Sequence, residues 1–230
     1  MSSAQTDGFI TLPRQDLLAQ PDLADELVDC YIRIFNATGQ GEWAENWTPE
    51  QVRAKFFGDT SDADAAFFTL MRAGGELAGL SMVTVESVER MLAARDLPPG
   101  LQTEEHLANL KNRLRWFAGG GSVAFHREFG IRKEFRNGLE YVLPLMCHPQ
   151  AAARNSGAAF SYCWTSKKLG RLYNITMGLD FRVIYAFNDP MEHVVIGESA
   201  DLMVRRLRLP VADIQVEFAA KTAARQRKQP

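Results

Sequence analysis

The chain has 230 residues, of which 46% are hydrophobic and 23% charged, so it can bury a substantial core in one large domain or two small ones. Its formal net charge is −2, and residues 219–230 carry four basic side chains and no acid, which leaves about −6 on the remainder. This charge disfavours nucleic acid as a partner. Residues 219–230 are predicted to form a basic, flexible tail.

Targeting and redox features point to the cytoplasm. The three cysteines, Cys30, Cys147 and Cys163, form no CxxC pair and are odd in number, which disfavours a disulfide framework. The first residues lack the basic and long apolar stretches of a secretory signal, and no run approaches the ~18 apolar residues of a membrane span. With four histidines, no HExxH and no paired cysteines, a metal site is not expected.

Two helices are predicted near the start of the chain. Apolar side chains recur at helical spacing over residues 22–36. A second helix is predicted over about 49–57, with Thr48 as its N-cap and Gln51 as the partner that completes a capping box. Residues 1–21 are assigned to an N-terminal segment.

A β-hairpin is predicted next. Its strands cover 66–72 and 76–87, and Gly74-Gly75 joins them. Residues 88–121 follow as a helical region, which interrupts the order of strands as an insertion.

The middle of the chain predicts a strand followed by a helix. In the strand over 122–131, regular alternation of side chains places His126 and Glu128 on one face. Residues 139–155 have a helical pattern, and two prolines within it predict a kink or a break.

The last third of the chain continues to alternate between strands and helices. Strands are predicted in "SGAAFSYCWTS", "FRVIYAF", "EHVVIGES" and "ADIQVEF", and helices in "KKLGRLYNITMGLD" and near 199–207. The whole order predicts an α+β or α/β fold. We expect a mixed central sheet, antiparallel at its start, with helices on both faces.

Three stretches resemble the GNAT acyltransferase superfamily, in particular a divergent branch similar to the N-acyl amino acid and acyl-homoserine lactone synthases. "CYIRIFNATGQGEWAENWTPE" resembles the opening helix pair of that family. "FGIRKEFRNGLEYVLPLM" resembles its strand, pyrophosphate loop and helix, and "SYCWTSKKLGRLYNITMGLDFRVI" its next strand and helix. The resemblance implies one acyltransferase domain over 22–218, with the insertion at 88–121.

The resemblance also implies an acyl-CoA cofactor. The enzyme would move an acyl group, acetyl by default, from an acyl-CoA thioester to an amine of a small molecule or a protein. The implied cofactor-binding residues are Ile131, Arg132, Lys133, Arg136, Asn137, Gly138, Leu139 and Asn174. Main-chain N–H groups at a helix N-terminus and basic side chains both suit a phosphate. A solvated basic loop that caps a core helix explains the loop residues equally well.

Acyl transfer to an amine needs a proton acceptor, a polarised carbonyl and a proton for the departing thiol. The resemblance implies Glu128 as the base and Tyr173 as the acid. The residues themselves leave two alternatives open. Glu128 pairs with Arg127 or another surface cation, and Tyr173 is an aromatic side chain packed on a helix face.

The acceptor amine is predicted to bind near the first two helices. Trp43, Glu45 and Trp47 lie between those helices, and tryptophans beside a glutamate hold an amine by cation–π contact and ion pairing. Together with His126 they are the predicted substrate-binding residues. The alternatives are a hydrophobic hinge between the helices and, for His126, a satisfied interior histidine.

The phosphate loop departs from the family pattern. That pattern is Arg or Gln, two residues, glycine, one residue, and glycine or alanine, whereas Leu139 and Tyr141 stand at the two small positions here. Two further interpretations follow: a GNAT-like binding protein without catalysis, and an acyltransferase that takes longer chains from acyl carrier protein. The 88–121 insertion is interpreted either as a lid or as the contact of a homodimer.

Overall fold

A computed structural model describes residues 7–36, 46–58, 65–93, 104–136, 139–167, 170, 182–186 and 193–199. The elements in chain order are β1 (Gly8–Pro13), α1 (Arg14–Leu18), α2 (Pro21–Phe35), α3 (Pro49–Phe57), β2 (Ala65–Ala73), β3 (Glu76–Glu86), α4 (Val88–Ala93), α5 (Glu104–Ala118), β4 (Val123–Ile131), a 3-10 turn (Lys133–Phe135), α6 (Leu139–Asn155), β5 (Phe160–Ser166), β6 (Arg182–Ala186) and β7 (His193–Ser199). The predicted helix "KKLGRLYNITMGLD" lies largely outside the described residues. The helix near 199–207 and the strand "ADIQVEF" also lie outside them, apart from the first residue of that helix.

The described strands form one sheet in the order β1-β2-β3-β4-β5-β7-β6. β4 and β5 are parallel, and every other neighbouring pair is antiparallel. The predicted mixed sheet, antiparallel at its start, is therefore confirmed. β1 lies at the sheet edge beside β2, within the stretch that the sequence analysis had assigned to an N-terminal segment.

The predicted hairpin between β2 and β3 is confirmed. Ala73 pairs with Glu76, so Gly74 and Gly75 alone form the turn. Their φ angles are +65° and +80°, a left-handed conformation that glycine adopts without steric penalty.

Helices cover both faces of the sheet. On one face, called the front, Leu27 of α2 and Phe56 of α3 share a buried cluster with Phe68 and Leu80 of the sheet. On the other face, called the back, α6 packs on β2, β3 and β4. The boundaries of α2 and α3 match the predicted helices.

The helix α5 extends the front layer toward β5. Leu110 and Leu114 are fully buried, in a cluster that includes Phe160 and Tyr162 of β5. Trp116, on the same helix, is 76% exposed. The described part of the insertion thus covers the front of the sheet beside β5, and its interpretation as a lid or a dimer contact remains a prediction.

Two local predictions had different outcomes. At the start of α3, the hydroxyl of Thr48 accepts from the Gln51 N–H and the Gln51 side chain accepts from the Thr48 N–H, which confirms the capping box. α6 is continuous from Leu139 to Asn155 although it contains Pro144 and Pro149, so of the predicted kink or break, the break is wrong. Packing against the sheet outweighs the main-chain hydrogen bonds that the two prolines remove.

Replacing Gly130 with alanine is expected to destabilise the fold. A Cβ atom there would lie 2.9 Å from Cγ2 of Ile34 and 3.1 Å from Cε2 of Phe35, so these packed side chains of α2 would have to move. We expect Gly130→Ala to lower the free energy of unfolding by about 1–3 kcal/mol in urea denaturation. The control is Gly121→Ala, whose Cβ would meet nothing closer than 3.5 Å. Equal stability of the two variants would contradict this account of α2 packing.

Candidate functional site

A β-bulge in β4 gives the strand one extra residue. Met82 of β3 pairs with Glu128, and the next residue, Val83, pairs with His126, so Arg127 has no counterpart on β3. A bulge of this kind interrupts the alternation of side chains between the two faces.

Contacts on either side of the bulge show the change of face. The Nε2 atom of His126 lies 3.2 Å from the main-chain oxygen of Met146 in α6, behind the sheet. Two residues later, Glu128 accepts a hydrogen bond of 3.2 Å from the hydroxyl of Tyr31 in α2, in front of it. The prediction that His126 and Glu128 share a face is therefore wrong, because it assumed a regular strand.

Glu128 forms an ion pair with a lysine of α3. The Nζ atom of Lys55 lies 2.6 Å from Oε1 of Glu128, and the side chains are 31% and 14% exposed. The sequence left open that Glu128 pairs with Arg127 or another cation, and in the structure that cation is Lys55. Because both side chains are largely removed from water, this pair is less screened than one on an open surface.

Aromatic rings surround the ammonium group of Lys55. Its Nζ atom lies 4.6 Å from the ring centroid of Trp47 and 5.6 Å from that of Tyr31. Trp47 is held in place by Asn36, whose side-chain amide makes two hydrogen bonds of 2.9 Å with the main chain of Trp47. Trp47 therefore packs against α2 and contacts a cation supplied by the chain itself.

A second ion pair lies beside the first. An NH2 of Arg127 lies 3.1 Å from Oε1 of Glu86, and its Nε donates to the hydroxyl of Thr84 at 3.0 Å. That hydroxyl donates in turn to Glu86 at 2.7 Å. The Glu86 side chain is only 3% exposed, so its charge depends on these partners.

Tyr162 brings a buried hydroxyl toward this second pair. Its ring stacks on Phe125, with centroids 4.7 Å apart. The hydroxyl is buried and has no hydrogen-bond partner among the described residues. Burial, together with the negative charge of Glu86, raises the pKa of Tyr162 well above its ordinary value, so the group keeps its proton.

The strands β4 and β5 diverge at this point. They pair in parallel only from Val123 with Phe160 to Phe125 with Tyr162. β4 then continues to Ile131 alongside β3, while β5 continues alongside β7. A gap therefore opens between the two strands, and the bulge with Glu128 lies on its β4 side.

The basic loop after β4 is partly neutralised. Arg132 donates to Glu134 at 2.6 and 3.0 Å and to Glu76 at 2.9 Å. Arg136 is exposed, and its Nε donates to the main-chain oxygen of Ile131 at 2.8 Å. Lys133 is exposed on the 3-10 turn.

The remaining candidates are placed as follows. Ile131 is 4% exposed and packs with Leu145 on the back of the sheet, and Leu139 is the first residue of α6. Six predicted residues lie outside the described part of the chain: Trp43, Glu45, Asn137, Gly138, Tyr173 and Asn174.

Sequence reasoning missed Lys55, Glu86 and Tyr162. Glu86 carried a signal, because it ends a stretch of β3 that has no other charged residue after Glu76. Lys55 and Tyr162 carried none, since each meets its neighbours across elements distant in the sequence.

A depression of about 440 Å³ lies elsewhere, between α1, α2 and α3. Leu18, Phe57 and the ion pair of Asp25 with Arg53 line it. It contains none of the residues around Glu128, and its charges satisfy one another. The β4–β5 gap, where the polar groups of the front face converge, is the better candidate site.

The described residues form neither a metal-binding cluster nor a membrane-spanning helix. No group of three or more histidine, cysteine or acidic side chains is arranged to hold a metal ion. None of the described helices combines the length and apolar character needed to cross a membrane.

Replacing Arg127 with methionine tests the buried pair. The variant leaves Glu86 in the interior without its cation, and we expect a loss of about 3 kcal/mol in the free energy of unfolding. The matched control is Arg115→Met, whose pair with Glu89 is half exposed and should contribute less than about 1 kcal/mol. Similar losses in both variants would mean that burial of Glu86 is not what makes its pairing important.

The titration of His126 should make stability depend on pH. Burial lowers the pKa of His126 to about 4, and its neutral Nε2–H donates to Met146. Since the unfolded chain binds this proton near pH 6.5, the unfolded state holds more protons between these values. Stability should therefore fall as the pH falls from about 6.5 to about 4, by up to roughly 3 kcal/mol.

The variant His126→Asn isolates this contribution. Urea denaturation of both proteins across that pH range gives the difference, which also removes the effect of His148, whose pKa burial lowers as well. Parallel pH profiles would show that His126 titrates alike in the folded and unfolded chain.

No protein family matches this sequence, and no curated protein does. Solved structures match the fold. The CoA-dependent acyl-homoserine lactone synthase BjaI has a TM-score of 0.56 and 12% identity, over 89% of this chain and 91% of that one. A GNAT-family acetyltransferase from Streptococcus pneumoniae has a TM-score of 0.51 and 12% identity, over 84% and 99%.

A further match is the PaiA N-acetyltransferase from Thermoplasma acidophilum in complex with coenzyme A. Its TM-score is 0.50 and its identity 10%, over 85% of this chain and 99% of that one. At such identities, the likeness concerns the path of the chain rather than the substrate. With its mixed sheet and its parallel β4–β5 pair, this chain has the fold of the GNAT acyltransferases.

Proposed function

We propose that this protein is an N-acyltransferase that moves an acyl group from an acyl-CoA thioester to the amine of a small molecule or a protein in the cytoplasm. The observation that carries the proposal is the gap between β4 and β5, with the bulged strand and Glu128 at its side. The fold comparison supports it, since a matching structure is an acetyltransferase in complex with coenzyme A.

The donor thioester lies in the gap in this proposal. An elongated ligand between two diverging strands contacts the edges of both. Its phosphates lie toward the basic loop and the first turn of α6, where main-chain N–H groups and the helix dipole favour negative charge. Lys133 and Arg136 add positive charge, while Arg132 is already engaged by two acids.

Glu128 acts as the proton acceptor in this proposal. Glu128 lies three residues beyond the last β4–β5 pair, and its carboxylate faces the front. There it contacts Tyr31 of α2 directly and Trp47 through the ammonium group of Lys55. The incoming amine gives a proton to Glu128 and attacks the thioester carbonyl carbon, and the thiol leaves with a proton. Tyr173 remains the proposed donor of that proton, by family resemblance alone.

A second candidate function is that of a GNAT-like binding protein without catalysis. Two contacts favour it: the ion pair of Glu128 with Lys55 and the neutralisation of Arg132 by Glu76 and Glu134. Both occupy groups that a catalyst would use. A donor carried by acyl carrier protein instead of CoA is a variant of the first proposal, and the same loop would meet its phosphopantetheine.

Donor binding can be measured directly. We expect CoA and acetyl-CoA to raise the thermal unfolding midpoint, because each binds the folded state alone. Arg136→Ala should weaken that binding roughly tenfold, since a charge-assisted hydrogen bond is worth about 1.5–3 kcal/mol. As Arg136 is exposed, stability without ligand should change by less than about 1 kcal/mol. Lys111→Ala, on α5, is the charge-matched control, and no shift with any acyl-CoA or acyl carrier protein would refute donor binding.

Replacing Glu128 with glutamine tests catalysis. The amide still accepts a hydrogen bond from Tyr31 but cannot take a proton at neutral pH, so turnover should fall about 10²–10⁴-fold. The measurement is release of free thiol from acetyl-CoA in the presence of a panel of amines, with donor binding followed separately. Unchanged turnover would favour a purely structural ion pair with Lys55.

A further inference from the structure

Lys55 occupies the position next to Glu128 that an acceptor amine needs. A general base has to lie within about 2.6–3.2 Å of the atom whose proton it removes. The distance from Nζ of Lys55 to Oε1 of Glu128 is 2.6 Å, so the amine of Lys55 meets this condition. Since Glu128 lies just beyond the last β4–β5 pair, the same amine lies alongside the proposed donor gap.

The surroundings also restrict the motion of this amine. The lysine side chain is 31% exposed, and the faces of Trp47 and Tyr31 lie against its ammonium group. A free lysine side chain loses up to about 2 kcal/mol of conformational entropy when it is ordered, and here that ordering is already achieved. An amine held near a bound thioester reacts as if at a very high local concentration.

We propose that Lys55 is itself an acyl acceptor, acylated by the donor thioester bound to the same molecule. The inference rests on the proposed acyltransferase function. The ammonium of Lys55 gives one proton to Glu128, which passes it to solvent. Nζ then forms a bond to the thioester carbonyl carbon, the carbon–sulfur bond breaks, and the thiol leaves with the second proton. The products are a lysine amide, a free thiol and one proton.

Acylation changes the site that it modifies. The amide carries no charge, so it removes the ion pair with Glu128 and the cation–π contacts with Trp47 and Tyr31. Glu128 is then left without this cation, and an acyl chain lies where the ammonium had been. The modification therefore marks which acyl donor was bound, and it changes the charge and the space that a later acceptor meets beside Glu128.

Lys111 provides an internal control for non-enzymatic acylation. It lies on α5 with its side chain 37% exposed, 3.9 Å from Glu89, so it also has a carboxylate partner. It differs from Lys55 in its carboxylate partner, which is Glu89 of α4 and not Glu128 of β4. Chemical acylation in solution should modify Lys111 at least as fast as the less exposed Lys55.

The experiment incubates the full chain with acetyl-CoA and, separately, with hexanoyl-CoA, and follows acylated peptides by mass spectrometry over time. We expect Lys55 to be acylated at least about tenfold faster than Lys111, at a rate per molecule that does not change with protein concentration. Glu128→Gln should bring Lys55 to the rate of Lys111. Lys55→Arg, which keeps the charge, should abolish this modification while CoA still raises the unfolding midpoint.

The outcomes separate this inference from the function on which it rests. If an external amine is acylated while Lys55 stays unmodified, the inference is overturned and the proposed function stands. Equal rates at Lys55 and Lys111 overturn it as well, since they indicate solution chemistry. If no acyl-CoA shifts the unfolding midpoint and no amine is acylated, both proposals fail.

Discussion

The bulge in β4 is the constraint on which the candidate site depends. In a regular strand, neighbouring side chains point to opposite faces, so two adjacent charged residues cannot both face the front. The extra residue removes that restriction and brings Arg127 and Glu128 to the same face. The pairing of β4 with β5 ends at Phe125, two residues before Arg127. One distortion thus accompanies both the orientation of the charged groups and the opening of the gap.

The ion pairs already present restrict which charged ligands can approach this site. The front face carries Lys55 with Glu128 and Arg127 with Glu86, so each acid has a base. Buried charges are tolerated only when such partners compensate for lost hydration. A cationic amine that approaches Glu128 therefore replaces a cation already present, or arrives neutral. In the proposed function, either requirement makes Lys55 part of acceptor selection, whether it moves aside or reacts.

Local sequence signals predicted most of the described elements, although not β1, and they did not predict how the site is assembled. The capping box at Thr48 and the turn at Gly74-Gly75 were predictable because each depends on residues within four positions of one another. The bulge at Arg127 was not, because strand register is set by hydrogen bonds to a distant strand. The pair of Lys55 with Glu128 was missed because its two residues lie on elements that are distant in the sequence. The continuity of α6 through its prolines likewise reflects tertiary packing, which outweighs local propensity.

Two contacts tie β4 to the loop and helix that follow it. Burial beneath α6 lowers the pKa of His126 and keeps it neutral, so it can donate to Met146 without a counter-charge. Arg136 makes a second tie to β4 through the carbonyl oxygen of Ile131. These contacts fix the connection from β4 into α6 at points on both sides of the loop. The start of α6 therefore lies between two points that contact β4, and in the proposed function this order would lower the entropy that donor binding has to overcome.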